Sequence, residues 1–476
     1  MKHTSPLCVV RHFPCRHAVS AGLFACALDN RPVIDPVTRM APALPVVLRR
    51  AAPALLGYAA VRTVGLLVLV WWSTAHGKDA YTLLTARWDA LWYAGVAERG
   101  YGHEVRLPNG DVHSDLAFFP LLPWLERLLA SAGPLSCADA GLVVSLVASL
   151  AAAWGIFAVA DRVYGRREEG PAPSWEDRAR PRLRKGGDGG NVGVWAVLLW
   201  AVLPVGIVQS MAYSESLFTA LAAWTLYAVL AGRWVTAGVL ASLAGLTRPV
   251  GLAVVAAVWA AALASFLRGL CDRDAPLSRT RGALLLRTRG ASFLRARDAS
   301  FLRDGGAPAA GGAPRVLALL LAPLGTLGYA LWVGHRTGRG PLGYLDVQAG
   351  WRNGFDGGYA FARFVAGMLT SFPSAPAGLG LIVGVAAVLG LYAVGVRQRQ
   401  PLVLLVYSGV VTALALGTSS YFGSKPRLLL PAFPLLLPLA LALARARPVR
   451  SALVVGGVAV ASAVYGASWL NGSGPP

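Results

Sequence analysis

Asp89 is the residue of this sequence whose type and surroundings best suit acid–base chemistry. It lies in ARWDALWYAGVAERGY at 86–101, where charged residues alternate with aromatic ones. In glycosyl transfer with inversion, a carboxylate takes the proton of the acceptor hydroxyl as the donor bond breaks. A phosphate leaving group needs no strong acid, but it needs cations to hold it. The alternative interpretation of Asp89 is a structural ion pair with Arg87.

Three other segments supply charged side chains that could act together with Asp89. Glu215 lies in the turn YSES at 213–216. A carboxylate at membrane depth is costly enough to suggest a function, whereas a turn carboxylate in the headgroup layer costs less and is the alternative. Arg248, Lys425 and Arg427 are cations that could bind a lipid phosphate. Ordinary pairing with lipid headgroups by snorkelling is the alternative for these cations.

The histidines of the sequence indicate a metal site only weakly, compared with the charged residues above. Four of them fall on the predicted extracytoplasmic side: His76, His103, His113 and His335. His113 lies near Asp111 and Asp115, a set that could hold a divalent metal, but the sequence has no HExxH or comparable ligand pattern. Solvated loop histidines are the simpler interpretation. No metal ligand is therefore assigned, and a divalent metal stays an open alternative.

The elements that must position these side chains are membrane helices. Of the 476 residues, 55% are hydrophobic and only 14% are charged, whereas soluble proteins carry about 25% charged residues. This composition excludes a soluble globular domain, a disordered chain and a collagen. Five cysteines without paired spacing indicate neither zinc nor a disulfide framework. The predicted fold class is an all-α polytopic membrane protein.

Apolar runs suited to crossing the ~30 Å hydrocarbon core predict about eleven transmembrane helices. They cover roughly 51–72, 141–160, 192–211, 215–232, 234–247, 250–267, 315–335, 377–396, 401–418, 427–444 and 451–469. The fifth and sixth runs could be one helix broken at Arg248-Pro249, because proline lacks an amide hydrogen and kinks helices. Aromatic residues after the first run predict short helices at the membrane–water interface.

Orientation explains the net charge of +21. In the eleven-span arrangement, the arginine-rich segments 161–191 and 268–314 lie on one side, and the loops 73–140 and 336–376 lie on the other. Because basic loops stay inside, the N-terminus is predicted in the cytoplasm and the candidate site on the extracytoplasmic face of the plasma membrane. The charge therefore does not indicate nucleic-acid binding. The 268–314 segment fits either a low-complexity insertion or an amphipathic helix on anionic lipid.

Three regions follow from these patterns. Residues 1–45 are predicted to be a disordered cytoplasmic extension, 46–470 the transmembrane domain, and 471–476 a short external tail. A second start-like sequence begins at Met40, which suggests a mis-assigned start for residues 1–39.

Four segments resemble the PIG-V family of membrane mannosyltransferases, which belongs to the GT-C class of glycosyltransferases. They are RWDALWY at 87–93, FFPLLP at 118–123, YSESLF at 213–218 and LTRPVG at 246–251. The resemblance covers roughly residues 45–445, with the two basic loops as poor matches, and it depends on the order of the four motifs. Trp92 stands where many eukaryotic members have His, so this chain departs from the family pattern there.

The resemblance implies a GT-C-like bundle of transmembrane helices. It also implies inverting transfer of mannose from a polyprenyl-phosphate-mannose donor to an extracytoplasmic acceptor. It implies Asp89 as the general base, Glu215 as an orienting residue, and Arg248 and Arg427 as phosphate contacts. The acceptor is left open among a lipid, a glycan and a protein. The substrate-binding candidates are Arg87, Trp88, Tyr213, Glu215, Arg248, Lys425 and Arg427.

Two other function classes fit parts of the sequence. A multispanning transporter or lipid flippase would use broken helices such as those around Arg248, but the second half of the chain does not repeat the first. A non-catalytic scaffold would not need Asp89, Glu215 and Arg248 on one membrane face. Because a P-loop and a βαβ-type GxGxxG are missing, a lipid-linked donor is favoured over a nucleotide sugar.

Overall fold

The structure is a computed structural model that describes residues 44–165, 192–273, 312–419 and 421–472. The predictions for the N-terminal extension, for most of the two basic loops and for the end of the tail lie outside these residues. The chain divides into two units, Met1–Val47 and Leu48–Pro476, and the second contains the helical bundle.

Helices form almost all of the regular structure. They are α1 (Leu44–Ala75), α2 (Ala80–Thr85), α3 (Asp89–Arg99), α4 (Leu121–Ser131), α5 (Cys137–Tyr164), α6 (Val192–Ala201), α7 (Ser214–Leu230), α8 (Trp234–Gly245), α9 (Gly251–Arg273), α10 (Gly312–Leu321), α11 (Leu324–Thr337), α12 (Gly343–Gly350), α13 (Tyr359–Leu369), α14 (Ala375–Arg397), α15 (Leu402–Gly417), α16 (Lys425–Leu428), α17 (Leu437–Arg445) and α18 (Pro448–Leu470). Short 3-10 helices cover Asp115–Ala117, Gly206–Ser210, Phe422–Ser424 and Phe433–Leu436. In the described segments the only sheet is an antiparallel hairpin of β1 (Glu104–Arg106) and β2 (Val112–Ser114). The predicted all-α polytopic membrane fold class is confirmed.

Six helical segments are long and apolar enough to cross a membrane. They are Leu48–Ala75, Cys137–Tyr164, Gly251–Arg268, Gly312–Thr337, Ala375–Arg397 and Pro448–Leu470. The pair Phe422–Leu428 and Phe433–Arg445, bent by 75°, is a seventh if it forms one span. Shorter apolar helices (α6, α7, α8 and α15) coincide with the other predicted runs. The total of eleven spans therefore stays a prediction.

Two predicted runs end differently in the structure. The run 192–211 is helical only as far as Ala201, because Pro204 has no amide hydrogen with which to continue the helix. The runs on either side of Arg248 are two separate helices, α8 and α9, joined by residues 246–250. The structure therefore has a full break there and not one kinked helix.

A buried arginine fixes the turn that follows α6. The guanidinium of Arg62, on α1, donates hydrogen bonds to the carbonyls of Ala201 and Gly206 and is only 8% exposed. Carbonyls at a helix end lack partners within the helix and carry partial negative charge. Arg62 therefore stabilises the end of α6 and the direction of the chain toward Tyr213.

Small residues let α5 and α7 approach closely. A Cβ atom on Gly155 of α5 would lie 2.9 Å from the Cβ of Ala223 on α7. Within lipid, helices associate through such close contacts, because burying apolar surface against another helix gains little there. Near the start of α7, the hydroxyl of Ser145 donates to the Tyr213 carbonyl at 2.8 Å. Helix α5 thereby positions the turn that carries Glu215.

Two buried aromatic side chains hold the main chain that follows Arg427. The indole Nε1 of Trp200 donates to the Leu430 carbonyl at 3.1 Å, and the hydroxyl of Tyr407 donates to the Pro431 carbonyl at 3.0 Å. The chain is irregular between α16 and α17, so these carbonyls need partners from outside their own helix. The two hydrogen bonds set the position of the bent segment that contains Arg427.

The long loop after α1 folds into an ordered layer. It contains α2, α3 and α4, which confirms the short helices predicted there, and the β-hairpin, which was not predicted. Tyr329 of α11 connects this layer to the helical bundle, because its hydroxyl donates a hydrogen bond to the Phe118 carbonyl at 2.7 Å. Each strand has only three residues, and all three residues of β1 are exposed. An alternation of apolar and polar residues cannot be recognised over so short a segment.

Gly325→Ala tests the contact between α8 and α11. A Cβ on Gly325 would collide with the carbonyl oxygen of Ser242, a main-chain atom that cannot rotate away. We expect the free energy of unfolding to fall by about 1–3 kcal/mol, the usual cost of overpacking, seen as a lower Tm in detergent. Gly328→Ala on the same helix is the control, since its Cβ would meet nothing within 4 Å. Equal Tm values for the two variants would contradict the contact.

Candidate functional site

Four charged side chains from distant parts of the chain meet in one ion network. Arg427 Nη2 lies 2.7 Å from Asp89 Oδ2, and Arg427 Nε lies 3.0 Å from Glu215 Oε1. Arg248 Nη1 pairs with the same oxygen of Glu215. The side chain of Glu215 is 1% exposed, whereas that of Asp89 is 24% exposed. Two carboxylates and two guanidiniums thus compensate one another in a largely buried position.

Helix ends and helix breaks bring the four residues together. Asp89 begins α3 and Glu215 lies in the first turn of α7, where the helix dipole favours negative charge. Arg248 lies in the break between α8 and α9, and Arg427 lies in the four-residue helix α16. One cation therefore comes from a helix break, the other comes from a single helical turn, and both carboxylates come from helix N-termini.

Neighbouring polar and aromatic groups support the network. The hydroxyls of Tyr93 and Ser214 lie 2.7 Å apart, and Arg248 Nη1 lies 3.5 Å from the same Ser214 hydroxyl. The guanidinium carbon of Arg427 lies 5.2 Å from the ring centroid of Tyr213, within the range of a cation–π contact. The predicted candidate Tyr213 therefore contacts the network through an arginine.

Trp88 adopts a strained backbone conformation immediately before Asp89. Its φ of 48° and ψ of −119° lie in a region that favours glycine, and a non-glycine residue there costs about 1–3 kcal/mol. The Arg87 guanidinium carbon lies 3.8 Å from the centroid of the Trp88 ring. Such strain persists where the surrounding structure enforces it, and it clusters at functional sites.

Arg87 binds main-chain carbonyls outside the network. It donates from Nη1 to the Leu470 carbonyl at 2.6 Å and from Nη2 to the Gly472 carbonyl at 3.2 Å. Among the described residues it forms no ion pair with a carboxylate, so the alternative pairing with Asp89 is not formed. A contact between Arg87 and substrate stays a prediction.

Lys425 is also separate from the network. Its ammonium donates to the carbonyls of Ala415, at 2.9 Å, and Thr418, and it lies 5.3 Å from the ring centroid of Phe361. It therefore satisfies carbonyls at the end of α15. Within the described ranges no ion pair joins it to Asp89 or Glu215, and its role as a substrate contact stays a prediction.

The residues considered for a metal are engaged in other contacts. The imidazole of His113 stacks on the indole of Trp351, with ring centroids 4.0 Å apart. Asp111 pairs with Arg352 at 2.6 Å, and Asp115 accepts hydrogen bonds from two main-chain amides. In the part of the chain that the structure describes, no three His, Cys, Asp or Glu side chains are grouped to hold a metal ion.

A partly open cleft of about 280 Å³ lies along one face of α3. Its lining residues are Leu91, Trp92, Gly95, Val96, Arg99, His103 and Asp115. The first lining residue, Leu91, follows Asp89 by two residues on α3, and Asp89 is not itself part of the wall. Its wall combines aliphatic and aromatic groups with the charged or polar side chains of Arg99, His103 and Asp115.

Glu126 is a buried carboxyl group that was not among the predicted site residues. It is 1% exposed, and its Oε2 has no hydrogen-bond partner among the described residues. Gly141 of α5 makes room for it, since a Cβ there would collide with the carboxyl group and lie 3.3 Å from Ala212. Glu126 follows the buried Leu122 by four residues, a spacing that places both side chains on the same face of α4. This spacing was the signal in the sequence that Glu126 is buried.

Comparisons with known proteins give limited similarity. No protein-family model matches the chain, and no curated protein matches it. Among solved structures, it is similar to the archaeal oligosaccharyltransferase AglB from Archaeoglobus fulgidus, solved with an inhibitory peptide and a dolichol-phosphate. The identity is 12% and the TM-score 0.40, over 88% of this chain and 56% of that chain. This chain therefore spans little more than half of that protein, and a likeness of this degree supports no inference about activity.

Glu126→Gln tests the effect of the buried carboxyl group on stability. Burial, with a smaller contribution from Glu98, raises the pKa of Glu126 from 4.5 to about 8. Because the folded protein favours the protonated form, the free energy of unfolding should fall as the pH rises from about 4.5 to 8 and then level off. Each pKa unit is worth about 1.4 kcal/mol.

We therefore expect the Tm of Glu126→Gln, relative to the wild type, to rise between pH 5 and pH 8.5. Thermal melting in detergent measures this difference. Glu104→Gln is the control, because Glu104 lies on the exposed strand β1 and does not contribute to the raised pKa of Glu126. A constant Tm difference between Glu126→Gln and the wild type across this range would contradict the assignment.

Proposed function

We propose that this protein is an integral-membrane glycosyltransferase that transfers a sugar from a polyprenyl-phosphate donor with inversion. The observation that carries the proposal is the buried network of Asp89, Glu215, Arg248 and Arg427. Inverting transfer from a phosphate needs one accessible carboxylate as a base and fixed cations beside the leaving group. The network supplies both within one ion-paired group.

Asp89 is the proposed general base. Its side chain is 24% exposed, whereas that of Glu215 is 1% exposed and pairs with two arginines through Oε1. In the reaction, the acceptor oxygen forms a bond to the anomeric carbon while the bond from that carbon to the phosphate oxygen breaks. The acceptor proton passes to Asp89, and the electron pair of the broken bond stays on the polyprenyl phosphate.

Arg427 and Arg248 are the proposed phosphate contacts. A guanidinium has five N–H donors, and the described ion pairs use only one or two nitrogens of each arginine. The remaining N–H groups can bind phosphate oxygens while Glu215 keeps both arginines in place. Negative charge that develops on the leaving group would then be met by donors that are already oriented.

The proposed identities of the donor and of its sugar depend on further observations. Leu91 on α3 and Trp124 and Leu128 on α4 are exposed apolar side chains, and apolar groups near the site suit a lipid-linked donor at the interface. The assignment of mannose as the sugar depends on the resemblance of the four motifs to the PIG-V family. The proposed location is the extracytoplasmic face of the plasma membrane, and the acceptor is a lipid, a glycan or a protein.

Asp89→Asn tests the base. Purified protein receives radiolabelled polyprenyl-phosphate mannose, with heat-treated membranes of the source cell as the acceptor. We expect kcat to fall by about 10²-fold or more, because an amide cannot take the proton. Donor binding should persist, since both arginines remain.

Asp79→Asn is the control, because Asp79 caps the short helix α2 and has no contact with the network among the described residues. Full transfer by Asp89→Asn would remove Asp89 as the base. Movement of the donor lipid across vesicles by the wild type, without transfer of its sugar, would instead support the flippase alternative.

Arg427→Lys and Arg248→Lys test the phosphate contacts. Lysine keeps the charge but loses the planar fork of donors, so each variant should raise the donor KM about 10-fold or more, the effect of losing one charge-assisted hydrogen bond. Binding of polyprenyl phosphate without a sugar should weaken in parallel. Arg352→Lys is the control, as Arg352 pairs with Asp111 on an exposed surface. An unchanged donor KM in both variants would exclude these arginines as phosphate contacts.

A further inference from the structure

Arg87, the residue before Trp88, binds the C-terminal end of helix α18. Arg87 donates to the carbonyls of Leu470 and Gly472 at 2.6 and 3.2 Å. Carbonyls at the end of a helix have no partners within it and carry partial negative charge. Arg87 therefore ties the start of α3 to the end of α18, across 383 residues of sequence.

Three more residues extend this connection. The Lys78 ammonium donates to the Asn471 carbonyl, and the Asn471 amide donates to the Ser73 hydroxyl at 3.0 Å. Ser73 lies near the end of α1, so the first helix, the last helix and the segment between α1 and α3 are joined at one place. We term Ser73, Lys78, Arg87 and Asn471 the terminal clamp.

The terminal clamp acts on the strained residue next to the proposed base. The Arg87 guanidinium lies against the Trp88 ring at 3.8 Å while it also binds the two carbonyls. Without this anchor, Trp88 could relax from its φ of 48° to an ordinary conformation. Such a change rotates the chain at the first residue of α3, which is Asp89.

We propose that Arg87 is a positioning residue that, through the terminal clamp, holds Trp88 in its strained conformation and sets Asp89 against Arg427. This inference rests on the proposed function, and it assigns Arg87 a role other than the substrate contact expected from the sequence. A displacement of the base by about 1 Å can cost about 10²-fold in rate. Lysine at residue 87 cannot reproduce the role fully, since its single ammonium does not form a planar fork that lies on an indole and reaches two carbonyls.

The kinetic test compares Arg87→Ala, Arg87→Lys and Asn471→Ala with a matched control. The control is Arg162→Ala. In the wild type, the Arg162 guanidinium also donates to a helix-end carbonyl, that of Leu230 at 3.3 Å. This carbonyl lies at the end of α7 opposite to Glu215. With radiolabelled polyprenyl-phosphate mannose and heat-treated membranes of the source cell, Arg87→Ala should lower kcat about 10²-fold and leave the donor KM within about twofold of the wild type. Arg87→Lys should recover part of kcat, Asn471→Ala should lower it less, and Arg162→Ala should match the wild type.

A second measurement does not depend on transfer. Hydrogen exchange of the amides in residues 80–99 should be faster in Arg87→Ala and Asn471→Ala than in the wild type, and unchanged in Arg162→Ala. If Arg87→Ala does not fold, Arg87→Lys and Asn471→Ala carry both measurements.

Two results would overturn the inference. A raised donor KM with kcat retained would make Arg87 a donor contact, and unchanged kinetics with unchanged exchange would leave the terminal clamp without a positioning role. If the wild type transfers no sugar from the donor, the proposed function fails instead. The exchange measurement then still decides whether the terminal clamp orders the start of α3.

Discussion

The compensation of one buried carboxylate, Glu215, is the constraint on which the arrangement of the site depends. A carboxylate that is 1% exposed would cost several kcal/mol if it were left unpaired. Both Arg248 and Arg427 must therefore reach it, which places the break between α8 and α9 and the bent segment around α16 beside the first turn of α7. Because Arg427 also pairs with Asp89, the same constraint fixes the start of α3.

Other cations of the bundle meet a different need, the unpaired carbonyls at helix ends. Arg62, Arg87 and Lys425 each donate to two main-chain carbonyls, and none of them forms an ion pair with a carboxylate in the described ranges. Carbonyls in the last turn of a helix have no partner within that helix, and these side chains supply one. Arg248 and Arg427 therefore act in the ion network, whereas these three cations act at helix ends. Residue type alone does not distinguish the two roles.

The sequence predicted the helices well and the partners of the charged residues poorly. Apolar runs specify helices because a chain in lipid must satisfy its hydrogen bonds within each segment, and the break at Arg248-Pro249 follows from proline chemistry. Asp89, Glu215, Arg248 and Arg427 were each selected for carrying charge among apolar residues. That Arg427, and not Arg87, pairs with Asp89 could not be predicted, because 338 residues separate the two in sequence.

The sequence by itself determined that the chain is an all-α membrane protein and which charged residues stand out within it. Composition and the spacing of apolar residues are local properties, and they suffice for that conclusion. Only the tertiary structure decided which charges meet, which cations cap helix ends, and that Trp88 is held in a strained conformation next to Asp89. These outcomes depend on how separate helices pack, and contacts between side chains far apart in the chain leave no periodic pattern in one sequence.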